Sequence, residues 1–104
     1  MNIFHRLTQD KFCRHLLAVD KDGNEVGSCS HEAIKWCVIG WLRLHKDKRN
    51  MSKIQSADIH LQMMQKTYAA FKCGIAEAND KMGYDYVKFL QDSIQQEELE
   101  DLKV

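Results

Sequence analysis

The sequence predicts a mostly α fold, a small four-helix bundle-like domain with a short hairpin-like turn between its first two helices. Three observations predict it. The chain contains no proline and only five glycines, so little in it removes a helix N–H or dissolves a helical turn. Apolar residues recur three and four apart through most of its length. The one stretch dense in turn-forming residues, DKDGNEVGSCS at 20 to 30, is short and lies early. A chain of 104 residues has room for a single domain, 1–104. At that size it buries roughly 65% of its unfolded surface and folds without staples.

The first helix is expected over 2 to 18. Ile3, Phe4 and Leu7 form one cluster with helical spacing, and Phe12, Cys13, Leu16 and Leu17 form a second. The step between them places a break near Asp10. Asp22-Gly23 then favours a tight turn with positive φ, the one place where strands are expected. Ser30 is a good N-cap and Glu32 suits a first turn, so a second helix is expected from 30 to about 46. Its apolar positions run nearly all the way round, from Ala33 and Ile34 to Leu44, which marks a central helix. Gly40 inside it costs about 1 kcal/mol relative to alanine, a cost that close packing would explain.

The third helix is expected over 52 to 72, carrying a clean stripe of Ile54, Ala57, Leu61, Met64, Tyr68 and Phe71, with Gly74 following as a C-cap. IAEANDKMG, 75 to 83, mixes a short apolar start with turn chemistry. The last helix is expected over 84 to 98, with Val87, Leu90 and Ile94 on one face. The acidic tail 97–104 is expected to fray.

Composition excludes several functions. Fifteen acidic residues balance fifteen basic ones, which argues against a general nucleic-acid binder. No apolar run approaches the ~20 residues that span a bilayer, and no signal-peptide core is present. The expected setting is the cytoplasm, with no membrane partner. Cys13, Cys29, Cys37 and Cys73 contain no CxxC pair and read as reduced thiols.

Candidate sites follow from the remaining polar residues. Cys29, His31 and Cys37 form the densest cluster of metal-ligand types, but structural zinc wants two ligand pairs at fixed spacing, and Lys35 stands where an HExxH helix needs its second histidine. No metal or cofactor is expected. DKDGNE has Gly23 at the wrong position for a calcium loop. Cys37, placed well inside its expected helix, has no base beside it and reads as core. Arg43, Lys48 and Arg49 suit a phosphate or an acidic surface, and together with Trp36, Trp41, Tyr84 and Tyr86 they offer a nucleotide-like ligand both charge and stacking faces. The basic connection after Leu44 opposes an acidic C-terminus, a polarity that suits protein docking or self-association into a homo-oligomer.

AVDKDGNEV (18 to 26), SHEAIKWCVIGWL (30 to 42), IAEANDKMG (75 to 83) and YVKFLQDSI (86 to 94) stand in an order that resembles a small family of uncharacterised proteins from bacteria and their phages. In that family's pattern a WCxxGAL helix is followed by a WND segment. Ala33, Trp36, Cys37 and Gly40 match the first motif, and Asn79 and Asp80 match the second. Trp41 stands in place of the family's alanine and Ala78 in place of its tryptophan, a trade that would bring 41 near 78. The resemblance implies a phage-type setting and no reaction. It also suggests that Asn79 and Asp80, expected in a turn, reach the Trp36 helix and line a pocket over Cys37. Against this stands the simpler role of capping the last helix or bonding the loop backbone. The functional expectation is an accessory protein that binds a host or phage protein. Small-ligand binding and a Cys/His enzyme are the alternatives.

Overall fold

The computed structural model describes residues 1–49 and 51–96; the expected fraying of 97–104 lies outside them. Two 3-10 turns, Ile3–Arg6 and Gln9–Lys11, precede a two-stranded antiparallel sheet, β1 (Ala18–Val19) with β2 (Lys35–Trp36). Helices α1 (Val38–Lys48), α2 (Lys53–Phe71), α3 (Ile75–Met82) and α4 (Tyr84–Ser93) follow. The class is mostly α with four helices, but they are not the four expected segments.

Residues 2 to 18 do not form a helix, because their backbone and side chains bond elsewhere. The Asn2 side chain accepts from the Phe4 N–H at 2.9 Å and donates to the carbonyls of Gln91 and Ile94 at 3.2 and 2.8 Å. It thereby serves carbonyls at the C-terminal end of α4, where intrahelical partners run out. Further on, the Cys13 N–H donates to Trp36 O, and the Cys37 N–H to Leu17 O, both at 3.1 Å. His15 adopts φ 73°, which no right-handed helix accommodates. Phe4 and Leu7 still reach the core, fully buried.

The hairpin-like turn is present. Gly23 has φ 84°, and Asp20 Oδ1 accepts from the N–H groups of Asp22 and Asn24, both at 2.9 Å. It precedes the first α-helix rather than separating two.

The central helix starts later than expected. Ser30 caps only a local turn, its Oγ accepting from the Glu32 N–H at 3.1 Å. Residues 34 to 37 are drawn into pairing with 12 to 19, so α1 begins only after Cys37. Gly40 has the close contact its cost implied, against a backbone rather than a helix: a Cβ there would lie 2.1 Å from Leu17 O. Trp41 and Ala78 both lie in the core. Trp41 donates from Nε1 to Ile3 O at 2.8 Å.

IAEANDKM, read as a turn, is helix α3. Ile75, Ala78 and Asn79 sit on its buried side at helical spacing, and glycines end it on both sides.

Helix α2 is turned opposite to what its stripe suggests. An amphipathic helix normally buries its apolar face. Here Ser56, Ile59, Met63 and Thr67 are buried, while Ile54 is 84% exposed, Tyr68 62%, and Leu61 and Met64 50% each. The buried face is held by polar contacts. Thr67 Oγ1 and Tyr86 Oη are 2.6 Å apart in the core. Lys66 Nζ donates to Ser93 O, and Gln62 exchanges hydrogen bonds with the Gln95 backbone at 2.7 and 2.8 Å.

Gly40→Ala is predicted to destabilise the fold by about 1–3 kcal/mol despite alanine's better helix propensity, because the methyl meets a fixed carbonyl. Thermal unfolding of the variant checks this.

Candidate functional site

The start of α1, the loop at 15 to 17 and one side of α3 enclose a cleft of about 290 Å3. His15, Leu17, Cys37, Val38, Asn79 and Asp80 are among its lining residues. The structure therefore brings Cys37, Asn79 and Asp80 together, as the resemblance suggested.

Their places in the fold differ from the expected ones, although Asn79 and Asp80 do bond loop backbone, at Cys13 O and the His15 N–H. Asn79 and Asp80 lie on α3, not in a turn, and they do not cap the last helix. Asn79 Oδ1 accepts from the Val38 N–H at 3.1 Å, so it satisfies one of the open N–H groups at the start of α1 from another element. The same amide donates to Asp80 Oδ1 at 3.1 Å and to Cys13 O at 3.4 Å. Being 2% exposed, this carboxamide links α3, α1 and the 13 to 17 segment where water does not compete.

Asp80 holds the loop. Its Oδ1 accepts from the His15 N–H at 2.8 Å, and its Oδ2 lies 3.3 Å from His15 Nδ1. Burial alone would raise the Asp80 pKa, but the His15 N–H, the Asn79 amide and the His15 ring together outweigh it and lower the pKa. The ionised carboxylate in turn compensates His15 for its left-handed backbone, a conformation costing of order 1–3 kcal/mol.

Cys37 is the N-cap of α1, not an interior residue. Its Sγ accepts from the Gly40 N–H at 3.4 Å. A helix N-terminus normally favours a thiolate. Burial dominates here and raises the Cys37 pKa, against the lowering effect of the Gly40 and Ile39 amides. Cys13, behind it, is pushed by burial up to about 11. Both thiols stay protonated near neutral pH.

The other predicted residues lie elsewhere. Trp36 is half-buried, its Nε1 donating to Ser28 O at 2.8 Å and its ring set edge-on to Trp41 at 5.3 Å. Arg43, Lys48 and Arg49 are exposed on α1 and at its end. The Arg49 guanidinium sits 6.0 Å from the Trp41 ring centroid. The aromatic residues are committed internally as well. Trp41 also packs on the buried His45 at 4.7 Å, Tyr84 Oη donates to Leu7 O at 2.7 Å, and Tyr86 is fully buried. Trp36, Trp41, Tyr84 and Tyr86 do not form an open stacking platform with these cations.

Cys29 lies 3.6 Å from Asp47 Oδ2, and His31 is exposed. Among the described residues no three His, Cys, Asp or Glu side chains converge as metal ligands. No helix among them is long and apolar enough to cross a membrane. Sequence reasoning missed His15, whose place in the cleft depends on a backbone conformation and on a partner far along the chain.

Comparison with known proteins finds no matching family model, curated protein or solved structure.

Asn79→Ala is predicted to cost about 1–3 kcal/mol, the usual loss when a buried N–H is left without its partner. Hydrogen exchange checks the local origin: the Val38 amide should lose more protection than the α4 amides.

Proposed function

We propose that this chain acts by binding another protein through the outward face of α2, and that catalysis is not its role. One observation carries the reading: the regular stripe of Ile54, Leu61, Met64 and Tyr68 is exposed while the opposite side of the helix is buried. Scattered exposed apolar residues are ordinary, whereas a continuous row along a helix marks an interaction surface. Such a row fits an amphipathic helix on a partner. The resemblance to bacterial and phage proteins suggests the setting, an accessory protein in the host cytoplasm whose target is a host or phage protein. A counter-defence or host-modulating role follows from that setting. The protonated Cys37 thiol and the commitment of Asp80 to His15 favour binding over covalent chemistry.

The cleft beside Cys37 favours a second reading, a small ligand held between His15, Asp80 and the start of α1. Its volume is near the lower end for small-molecule sites.

The first reading predicts that a target retained from host lysate by the immobilised wild-type chain is lost on the Leu61→Glu/Met64→Glu variant, with the circular dichroism spectrum unchanged. Equal retention by both proteins would refute it. The cleft reading instead predicts a ligand-dependent rise in melting temperature that Asp80→Ala abolishes and Leu61→Glu leaves alone.

A further inference from the structure

We infer that the outward stripe of α2 is occupied by the same stripe of a second copy of this chain, the two helices running antiparallel. The inference rests on the binding reading above and names a partner for that surface. Positions 54, 57, 61, 64, 68 and 71 alternate by three and four, the a/d repeat of a coiled-coil seam. The exposed ones, from Ile54 to Tyr68, cover most of α2, Lys53–Phe71, about 21 Å at 1.5 Å per residue. The helix cannot turn this seam inward, because its other face already holds Ile59, Met63 and Thr67 in the core.

Side-chain size sets the direction. Antiparallel pairing centred between Leu61 and Met64 sets Ala57 opposite Tyr68 of the second copy and Leu61 opposite Met64, with Ile54 meeting only the rim of Phe71, which is half-buried against Phe89 of its own chain at 4.8 Å. The smallest seam residue then meets one of the largest, and the layers fill evenly. Parallel pairing would place Ala57 on Ala57 and Tyr68 on Tyr68, leaving one layer hollow and crowding another.

Charge agrees with this arrangement. Asp58 follows Ala57 near the start of the helix, and Lys72 is its left-handed C-cap, φ 60°, at the other end. Lys72 Nζ is 5.6 Å from the ring centroid of Tyr68, at the seam itself. Antiparallel pairing brings Asp58 of each copy to the end bearing Lys72 of the other, twice by symmetry, and opposes the helix dipoles. A parallel pair would instead offer Lys53 to Asp58, so charge reversal separates the two arrangements. Capture of a target through this face then competes with self-pairing.

Sedimentation of the full chain from about 1 to 100 µM, the range that resolves a micromolar dissociation constant, tests the inference. The wild type should be a dimer at the upper end and dissociate on dilution. Leu61→Glu should remain monomeric throughout, with the melting temperature of the dilute wild type. Asp58→Lys and Lys72→Asp should each weaken the dimer by about tenfold or more, and an equimolar mixture of the two should restore it, since each then supplies the charge the other lacks. A wild type monomeric at every concentration overturns self-pairing; if its target is still lost with Leu61→Glu/Met64→Glu, the binding reading survives. A Leu61→Glu dimer overturns the choice of face, and a mixture that does not re-pair overturns the antiparallel direction. A dimer disrupted by Leu61→Glu, with target retention unaffected, supports self-pairing and refutes the target-binding reading.

Discussion

The buried hydroxyl pair between Thr67 and Tyr86 determines which way α2 faces. Tyr86 is fully buried, and its Oη needs a partner where no water is at hand. Thr67 supplies one at 2.6 Å. Burial raises the Tyr86 pKa, against the opposing effect of that hydrogen bond, to about 12, so the phenol stays neutral. Rotating α2 to bury Leu61 and Met64 would expose Ile59 and Met63 in their place and strand this hydroxyl, the latter at a cost of about 1–3 kcal/mol. It would also break the Gln62 and Lys66 bonds to the end of α4. The side that carries Ser56, Ile59, Met63 and Thr67 is therefore the inner one, and the second apolar stripe is left as surface.

A second polar residue positions the cleft. Asn79 satisfies the start of α1 and bonds the Cys13 carbonyl, while its neighbour Asp80 holds His15. The cleft is thus an outcome of how three segments are stitched together. Its polar groups are largely bonded to one another, which is why the exposed stripe carries the functional reading.

Features set by local chemistry were legible in the sequence. The turn at Gly23, the span of α2 and the start of α4 depend on neighbours a few residues away, and all three stand close to where pattern places them, although α4 ends at Ser93 and not at the expected 98. The start of α1 was not, because Cys37 and its neighbours bond to a segment about twenty residues upstream. The first segment has helical spacing yet forms 3-10 turns and an extended strand, since Asn2 and Trp41 draw it onto other elements. Helix α3 was hidden by its shortness and by an Asn-Asp pair that reads locally as turn. In the site, the sequence offered the grouping of Cys37, Asn79 and Asp80 only beside a capping or backbone-bonding role, and the separation of Trp36, Arg43, Lys48 and Arg49 from it was not legible, because both depend on how distant segments pack. Periodicity found the stripe on α2 but could not say which face is inward, because a single long-range hydroxyl contact decides that.

Adjacent methionines on α2 report its orientation directly. Met63 is 0% exposed and Met64 50% exposed. Mild peroxide oxidation of the dilute chain, followed by peptide mass spectrometry, should convert Met64 to its sulfoxide well before Met63. Faster oxidation of Met63, with Met64 protected at the same dilution, would place the apolar stripe inside the fold and contradict the account.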